Sequence, residues 1–97
     1  MRYGYVYIIC NRKNGTLYLG VTSDLAARLE QHMSKSDPNN FSARYNTTRL
    51  VWYERYDLNV DAIAREKTMK GWPCQWKINT IEYENPNWDE LELEYDY

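Results

Sequence analysis

The chain has 97 residues, fourteen of them acidic and twelve basic, and a formal net charge of −2. This length allows one domain with a single modest core, so we expect one domain over residues 1–97. No stretch approaches the roughly 20 apolar residues of a membrane span, and the apolar run near the N-terminus lacks a small-residue cleavage site. We therefore expect no membrane association and a cytoplasmic location, with Cys10 and Cys74 reduced.

The charge is unevenly distributed along the chain. Residues 1–81 carry all twelve basic residues against seven acidic ones, a formal charge of +5, whereas residues 82–97 carry seven acidic residues and no Lys or Arg. A basic body is compatible with a polyanionic partner, but patches of this size also occur as solvated surface. The acidic tail, from about residue 84, either solubilises the protein or lies over the basic body and competes with a polyanion. We expect it to be partly ordered, because Trp88, Leu91 and Leu93 can cover an apolar surface.

Residues 5–21, YVYIICNRKNGTLYLGV, form two alternating apolar runs joined by a polar loop, which predicts a β-hairpin. Tyr7 and Tyr18 share a face of the hairpin only in a register in which the two residue numbers of each directly opposed pair add up to an odd number. A two-residue turn at Asn14-Gly15 gives such a register, and so does a longer loop that sets Tyr7 directly opposite Tyr18. The sequence leaves the register open.

Helical signals follow the hairpin. Thr22, Ser23 or Asp24 can cap a helix over TSDLAARLEQHM, whose apolar line is Leu25, Leu29 and Met33. The turn-forming residues SKSDPNN predict a loop. A third strand is predicted over RLVWYERY, in which Val51, Tyr53 and Arg55 alternate with Leu50, Trp52 and Glu54.

Two further helices complete the predicted order. NVDAIAREKTMKG predicts a helix that ends at Gly71, a residue suited to the left-handed C-terminal position. Pro73 can open the next helix, PCQWKINTIEYE, which must end near Asn85-Pro86. We therefore expect an α/β protein of the α+β type, with a three-stranded antiparallel sheet flanked by helices in the order β-β-α-β-α-α.

A carboxylate stands on the apolar stripe of the second predicted helix. Glu66 falls at helical spacing with Ala62 and Met69, where a charge is costly unless it is paired or bound to a metal. Two interpretations remain open: an ion pair with Lys70 or Arg65, or an oxygen ligand for a divalent cation. On the first helix, Arg28 and His32 are four residues apart and share a face.

Taken together, these residues resemble the GIY-YIG endonuclease family. Tyr5-Val6-Tyr7 stands in place of the first family motif and Tyr18-Leu19-Gly20 in place of the second. Tyr18 lies eleven residues after Tyr7 and ten before Arg28, and these separations resemble those of the family. GVTSDLAARLEQH, AIAREKTMKGW and ENPNW resemble the small stand-alone bacterial members, sometimes called URI-domain proteins, so that the resemblance covers nearly the whole chain.

The sequence also departs from the family pattern. Tyr5 replaces the first glycine, and Val21 stands where the excision-repair branch has a lysine. Pro73 and Cys74 occupy positions where relatives often carry basic residues. An asparagine is expected after the metal-binding glutamate, and Asn79 and Asn85 are both candidates.

The resemblance implies metal-assisted hydrolysis of a phosphodiester bond in DNA, in repair or recombination. Glu66 would bind one Mg²⁺ or Mn²⁺, and Arg28 would hold the phosphate oxygens. Tyr7 would accept a proton from the attacking water, His32 would relay it, and Tyr18 would position the water or contact the phosphate. Further contacts to nucleic acid are expected from Lys67, Lys70 and Arg44. A module that binds DNA without cutting it, and a domain active only with a protein partner, are the alternatives.

Overall fold

The computed structural model describes residues 3–34 and 49–91, and of residues 31–34 it describes the backbone alone. Within these ranges the three strands are β1 (Gly4–Cys10), β2 (Leu17–Thr22) and β3 (Arg49–Tyr56). The three helices are α1 (Leu25–Ser34), α2 (Asn59–Lys70) and α3 (Cys74–Glu84). The order β-β-α-β-α-α and the antiparallel sheet confirm the predicted α+β architecture.

The sheet has the order β2-β1-β3, so that β1 lies in the centre. β1 is the most apolar of the three strands, and every residue from Val6 to Cys10 is fully buried. Valine, isoleucine and tyrosine pack well on both faces of such a strand. The first tyrosine motif therefore lies at the centre of the sheet.

The hairpin register has the odd sum that places Tyr7 and Tyr18 on one face, because Tyr7 pairs with Gly20 and Ile9 pairs with Tyr18. The turn itself differs from both alternatives considered from the sequence. Gly15 donates its N–H to the Arg12 carbonyl at 2.9 Å, and Asn14 adopts a left-handed φ of 58° that asparagine tolerates. The two tyrosines are consequently diagonal neighbours and do not stand directly opposite each other.

Each face of the sheet supports its own core cluster. On one face, Val6 and Ile8 pack with Ala62 and Met69 of α2 and with Ile81 of α3. On the other face, Tyr7 and Ile9 pack with Leu50 and with Leu25 of α1, and Leu29 completes the contact. The helices thus divide between the two faces, with α1 on the face that carries the tyrosine pair.

A β-bulge in β3 interrupts the strict alternation expected for this strand, so that expectation is wrong at the bulge. Ile8 pairs with Trp52 and Ile9 pairs with Leu50, which leaves Val51 as an extra residue. On one side of the extra residue, each side chain points to the face opposite to the one that strict alternation predicts. Leu50 therefore packs with Tyr7, whereas Val51 joins Trp52 in the opposite cluster.

The helix ends agree with the sequence in part. Asp24, one of the three predicted caps, accepts the N–H of Ala27 at 3.1 Å on its carboxylate. The left-handed conformation predicted for Gly71 is wrong, since its φ is −80°. The chain instead continues in a tight right-handed turn in which Trp72 donates to the Met69 carbonyl at 3.0 Å. Pro73 then stands at the N-cap of α3.

The segment after α3 is anchored to the body of the protein. Trp88 is fully buried, and its indole N–H donates to the Glu82 carboxylate at 2.8 Å. The backbone N–H of Leu91 donates to the Leu50 carbonyl at 2.8 Å. The partial order predicted for the tail is thus confirmed for Trp88 and Leu91, whereas Leu93 lies outside the described residues.

Two further observations concern the helices and the cysteines. None of the helices in the described part of the chain is long and apolar enough to span a bilayer. Cys10 is buried and Cys74 is exposed, and the two are not joined by a disulfide.

We expect Trp88→Ala to lower the free energy of unfolding by about 3–5 kcal/mol, because it empties a fully buried site and removes the bond to Glu82. Urea unfolding followed by circular dichroism measures the loss. Trp76→Ala is the matched control, since Trp76 is 54% exposed, and it should cost about 1 kcal/mol or less. Equal losses in the two variants would contradict the buried position of Trp88.

Candidate active site

The site is built around two tyrosines on adjacent strands. Tyr7 is fully buried in β1, and Tyr18 is half-buried in β2. Their ring centroids lie 6.2 Å apart with an interplanar angle of 38°. This proximity follows from the register, because the partner of Tyr7 lies two residues after Tyr18 on the same strand face.

The space for the Tyr7 phenol is provided by Gly20. A Cβ atom at this position would lie 2.6 Å from the Tyr7 hydroxyl oxygen and 3.0 Å from Cε1 of Tyr18. Any larger residue would therefore displace Tyr7. Gly20 has no role in the predicted site, although its spacing of two from Tyr18, which places it on the same strand face, is a signal that identifies it.

Arg28 reaches the tyrosine pair from α1. Leu25 and Leu29 bury their side chains in the cluster that contains Tyr7, which fixes this helix against the sheet, and Arg28 is half-buried beside them. The Arg28 guanidinium donates a hydrogen bond to the Tyr7 hydroxyl, which in turn bonds to Tyr18. A buried hydroxyl requires such partners.

Burial raises the pKa of Tyr7 above its ordinary value, and the neighbouring Tyr18 raises it further. The charge and hydrogen bond of Arg28 act in the opposite direction without overcoming desolvation. Tyr7 is therefore a neutral phenol at neutral pH in this structure. Arg28 places a positive charge beside Tyr7, but the net shift of the pKa makes Tyr7 a weaker acid.

Glu66 lies on the buried side of α2 together with Ala62 and Met69. Its carboxylate forms an ion pair with Lys70, at 2.8 Å between Oε2 and Nζ. Of the partners considered from the sequence, Lys70 is thus the one that Glu66 meets, while Arg65 lies 4.0 Å from Glu54 instead. The hydrogen bond to Glu66 raises the pKa of Lys70, and Tyr18 adds to this effect.

These contacts connect the two helices across the sheet. Arg28 touches Tyr7, Tyr7 touches Tyr18, and Tyr18 lies within electrostatic reach of the ion pair between Lys70 and Glu66. Three of the five predicted catalytic residues, Tyr7, Tyr18 and Arg28, therefore come together on one face of the sheet. A fourth, Glu66, lies on α2 and is linked to them by the electrostatic effect of Tyr18 on Lys70. The backbone of His32 lies one helical turn after Arg28, and its side chain is outside the described part of the chain, as is Arg44.

A divalent cation needs oxygen or nitrogen donors that converge on one point. Among the described side chains, those of residues 3–30 and 49–91, no group of three or more His, Cys, Asp or Glu converges in this way. Mg²⁺ commonly keeps several waters and uses only one or two protein carboxylates. Glu66 supplies such a carboxylate, and its partner Lys70 has a side chain that is 60% exposed and free to turn away. The residues present therefore fit a site with a single carboxylate.

The two candidate asparagines have different surroundings. The Asn85 side chain donates to the Val51 carbonyl at 3.0 Å and to the Asp89 carbonyl at 2.9 Å, and it accepts the Asp89 N–H. Its polar atoms thus hold the C-terminal segment. Asn79 is exposed on α3, where it accepts a hydrogen bond from Gln75 at 2.9 Å.

The remaining predicted positions lie on the surface or at its edge. Lys67 is exposed in the last turn of α2. Val21 is half-buried and packs against the core cluster beneath α2, whereas Pro73 and Cys74 are exposed at the start of α3.

The chain is similar to known proteins of one family. The family model described as the GIY-YIG catalytic domain matches residues 3–79. A UPF0213 protein of Staphylococcus aureus strain Mu3 and UPF0213 protein SA0446 of strain N315 are each 31% identical to the chain over 78 residues. This match covers 79% of the chain and 92% of each relative. The names of these relatives state no activity.

A solved structure shares the fold. The solution NMR structure of UPF0213 protein BH0048 from Bacillus halodurans has a TM-score of 0.56 with the chain. The likeness covers 91% of this chain and 92% of that one, at 24% sequence identity.

We expect Gly20→Ala to destabilise the protein by about 1–3 kcal/mol, because the new methyl group would overlap the Tyr7 hydroxyl. Gly71→Ala is the matched control, and its effect on the free energy of unfolding should have the opposite sign. There the new Cβ lies 3.5 Å from the Thr68 carbonyl and φ is −80°, so the change should stabilise slightly. Thermal and urea unfolding measure both effects, and a Gly20→Ala variant as stable as wild type would contradict the close packing of Tyr7.

Proposed function

This chain belongs to the GIY-YIG catalytic domain family, and on that premise we propose that it is a divalent-metal-dependent DNA endonuclease that hydrolyses phosphodiester bonds. The family implies a nuclease-type function. The observation that carries the proposal is the meeting of Arg28 with the tyrosine pair on one face of the sheet, because it joins a phosphate-binding group to hydroxyl groups. The Glu66 carboxylate, the candidate metal ligand, is linked to this group by the electrostatic effect of Tyr18 on its partner Lys70.

Arg28 is the proposed phosphate ligand. Its guanidinium is permanently charged and half-buried, which strengthens its attraction for non-bridging oxygens. Its bond to Tyr7 fixes its direction without neutralising its charge. The phosphate would consequently lie next to the Tyr7 and Tyr18 hydroxyls.

Glu66 is the proposed ligand of one Mg²⁺ or Mn²⁺. A divalent cation held there supplies Lewis-acid stabilisation of charge on the phosphate and the leaving oxygen. The contribution of the protein is to hold the carboxylate on the buried face of α2.

Tyr7 is the proposed acceptor of the proton from the attacking water, and Tyr18 is proposed to position that water or to contact the phosphate. The raised pKa of Tyr7 limits the first role, because only a small fraction of the phenol is ionised at neutral pH. His32, one helical turn from Arg28, is the proposed relay that removes the proton. For the asparagine, Asn79 is the better candidate, since the side chain of Asn85 is used to hold the C-terminal segment.

The wider role is proposed to lie in DNA repair or recombination in the cytoplasm, with Lys67, Lys70 and Arg44 adding contacts to the nucleic acid. A DNA-binding module that cuts poorly is the second candidate. Two observations favour it: Lys70 occupies the Glu66 carboxylate, and burial keeps Tyr7 neutral. A protein partner that completes the site is the third possibility.

We expect Glu66→Gln to reduce cleavage about a hundredfold or more, because it removes the metal-binding charge while keeping the side-chain volume. Nicking of supercoiled plasmid, and cutting of a flapped duplex, with Mg²⁺ or Mn²⁺ measures the loss. Glu84→Gln, an exposed change on α3, is the control and should cut like wild type.

The same assay separates the three functions. Unimpaired cutting by Glu66→Gln would exclude Glu66 as the metal ligand. DNA binding without cutting by the wild type would support the binding module, and neither binding nor cutting would point to a missing partner.

We also expect cleavage to rise about tenfold per pH unit between about pH 6.5 and 9, since the ionised fraction of a phenol with a raised pKa grows in this way. Single-turnover rates with Mg²⁺ measure the profile. Tyr7→Phe should abolish the rise, whereas Tyr83→Phe, which is 88% exposed, should leave it unchanged. A wild-type profile that levels off near pH 7 would exclude Tyr7 as the proton acceptor.

A further inference from the structure

The Glu66 carboxylate is in contact with a cation of the protein itself. Lys70 Nζ lies 2.8 Å from Oε2 of Glu66, one helical turn further along α2. A metal ion bound to the same carboxylate would bring a second positive charge into this space. Like charges at such distances repel, so the ammonium and the metal ion cannot both bind the Glu66 carboxylate at full strength.

The two members of the pair differ in their freedom to move. The Glu66 side chain is only 10% exposed and is fixed on the buried side of α2, whereas the Lys70 side chain is 60% exposed. A lysine of this exposure carries its charge on a flexible four-carbon stem. Lys70 is therefore the member of the pair that moves away when another cation binds Glu66.

Tyr18 is a second group that acts on Lys70, besides Glu66. Tyr18 lies within electrostatic reach of the Lys70 ammonium, and Tyr18 contacts Tyr7, which is bonded to Arg28. The proposed phosphate position is beside these hydroxyls. The exposed Lys70 side chain, once released from Glu66, is therefore within electrostatic range of the proposed position of an anionic substrate.

We propose that Lys70 is a displaceable counter-cation. It holds the Glu66 carboxylate in the metal-free protein, competes with the divalent cation for it, and pairs with a substrate phosphate once the cation has displaced it. This inference rests on the proposed function of Glu66. It makes metal binding and DNA binding mutually reinforcing, because each removes the ammonium from the carboxylate.

The first test is Mn²⁺ binding by isothermal titration calorimetry. Lys70→Met keeps most of the apolar stem and removes the charge, so it should bind Mn²⁺ about two- to tenfold more tightly than wild type. Lys70→Gln, which keeps a hydrogen-bond donor, should bind more tightly as well. Melting curves show that each variant is folded.

Lys67→Met is the matched control, since Lys67 lies on the same helix turn and is exposed. Its affinity for Mn²⁺ should equal that of wild type. Equal tightening in Lys67→Met and Lys70→Met would overturn the inference, because it would reflect general charge repulsion. Unchanged or weaker binding by Lys70→Met would overturn it too.

Glu66→Gln separates this failure from failure of the proposed function. Mn²⁺ binding that Glu66→Gln leaves intact would overturn both the metal site and the inference. Binding that Glu66→Gln abolishes and Lys70→Met leaves unchanged would overturn the role of Lys70 alone.

The second test concerns the phosphate. Each phosphate contact contributes about −0.9 to the slope of log affinity against log salt concentration. With Ca²⁺ present in place of Mg²⁺, the wild-type slope for a flapped duplex should be steeper than that of Lys70→Met by about one contact, and without a divalent ion the two slopes should agree. Equal slopes under both conditions would overturn the release of Lys70 to the substrate.

Discussion

The constraint on which the site depends is the burial of a phenol at the centre of the sheet. Tyr7 is fully buried, and a buried hydroxyl must find hydrogen-bond partners. The hairpin register supplies Tyr18 on one side, and α1 supplies Arg28 on the other. Gly20 leaves the space that the ring occupies. The positions of four residues thus follow from satisfying one polar group in an apolar core.

The same burial sets the electrical character of the site. Desolvation raises the pKa of Tyr7, so the phenol stays neutral and the half-buried Arg28 retains an uncompensated attraction for anions. On the other side of the tyrosine pair, Glu66 forms an ion pair with Lys70. The site therefore presents a cation near one helix and a neutralised carboxylate near the other, which is an arrangement suited to receiving both an anion and a metal ion.

Much of this architecture is readable from the sequence. Period-two alternation identified the hairpin, and the capping position of Asp24 and the apolar stripe of α2 identified the helices. The stripe also singled out Glu66 as a carboxylate that needs a partner. The shared face of Tyr7 and Tyr18 was expected from any odd-sum register, whereas their diagonal contact depends on the register that the structure shows.

Other features depend on long-range contacts that local patterns do not encode. The bulge at Val51 satisfies packing on both faces of the sheet and so interrupts a regular alternation. Gly71 remains right-handed because Trp72 continues the turn of α2. Lys70 meets Glu66 because the i+4 spacing places both on one face of α2, whereas the approach of Arg65 to Glu54 of β3 is a long-range contact that the helix pattern does not encode.

The bulge has a consequence for association with other chains. It lies in β3, an edge strand, and two successive carbonyl groups there, those of Leu50 and Val51, accept hydrogen bonds from Leu91 and Asn85. Exposed strand edges recruit foreign strands, and proteins commonly protect them with bulges or covering segments. Here the segment from Asn85 to Leu91 covers the edge at Leu50 and Val51, so that this part of β3 is shielded from intermolecular pairing by the chain itself.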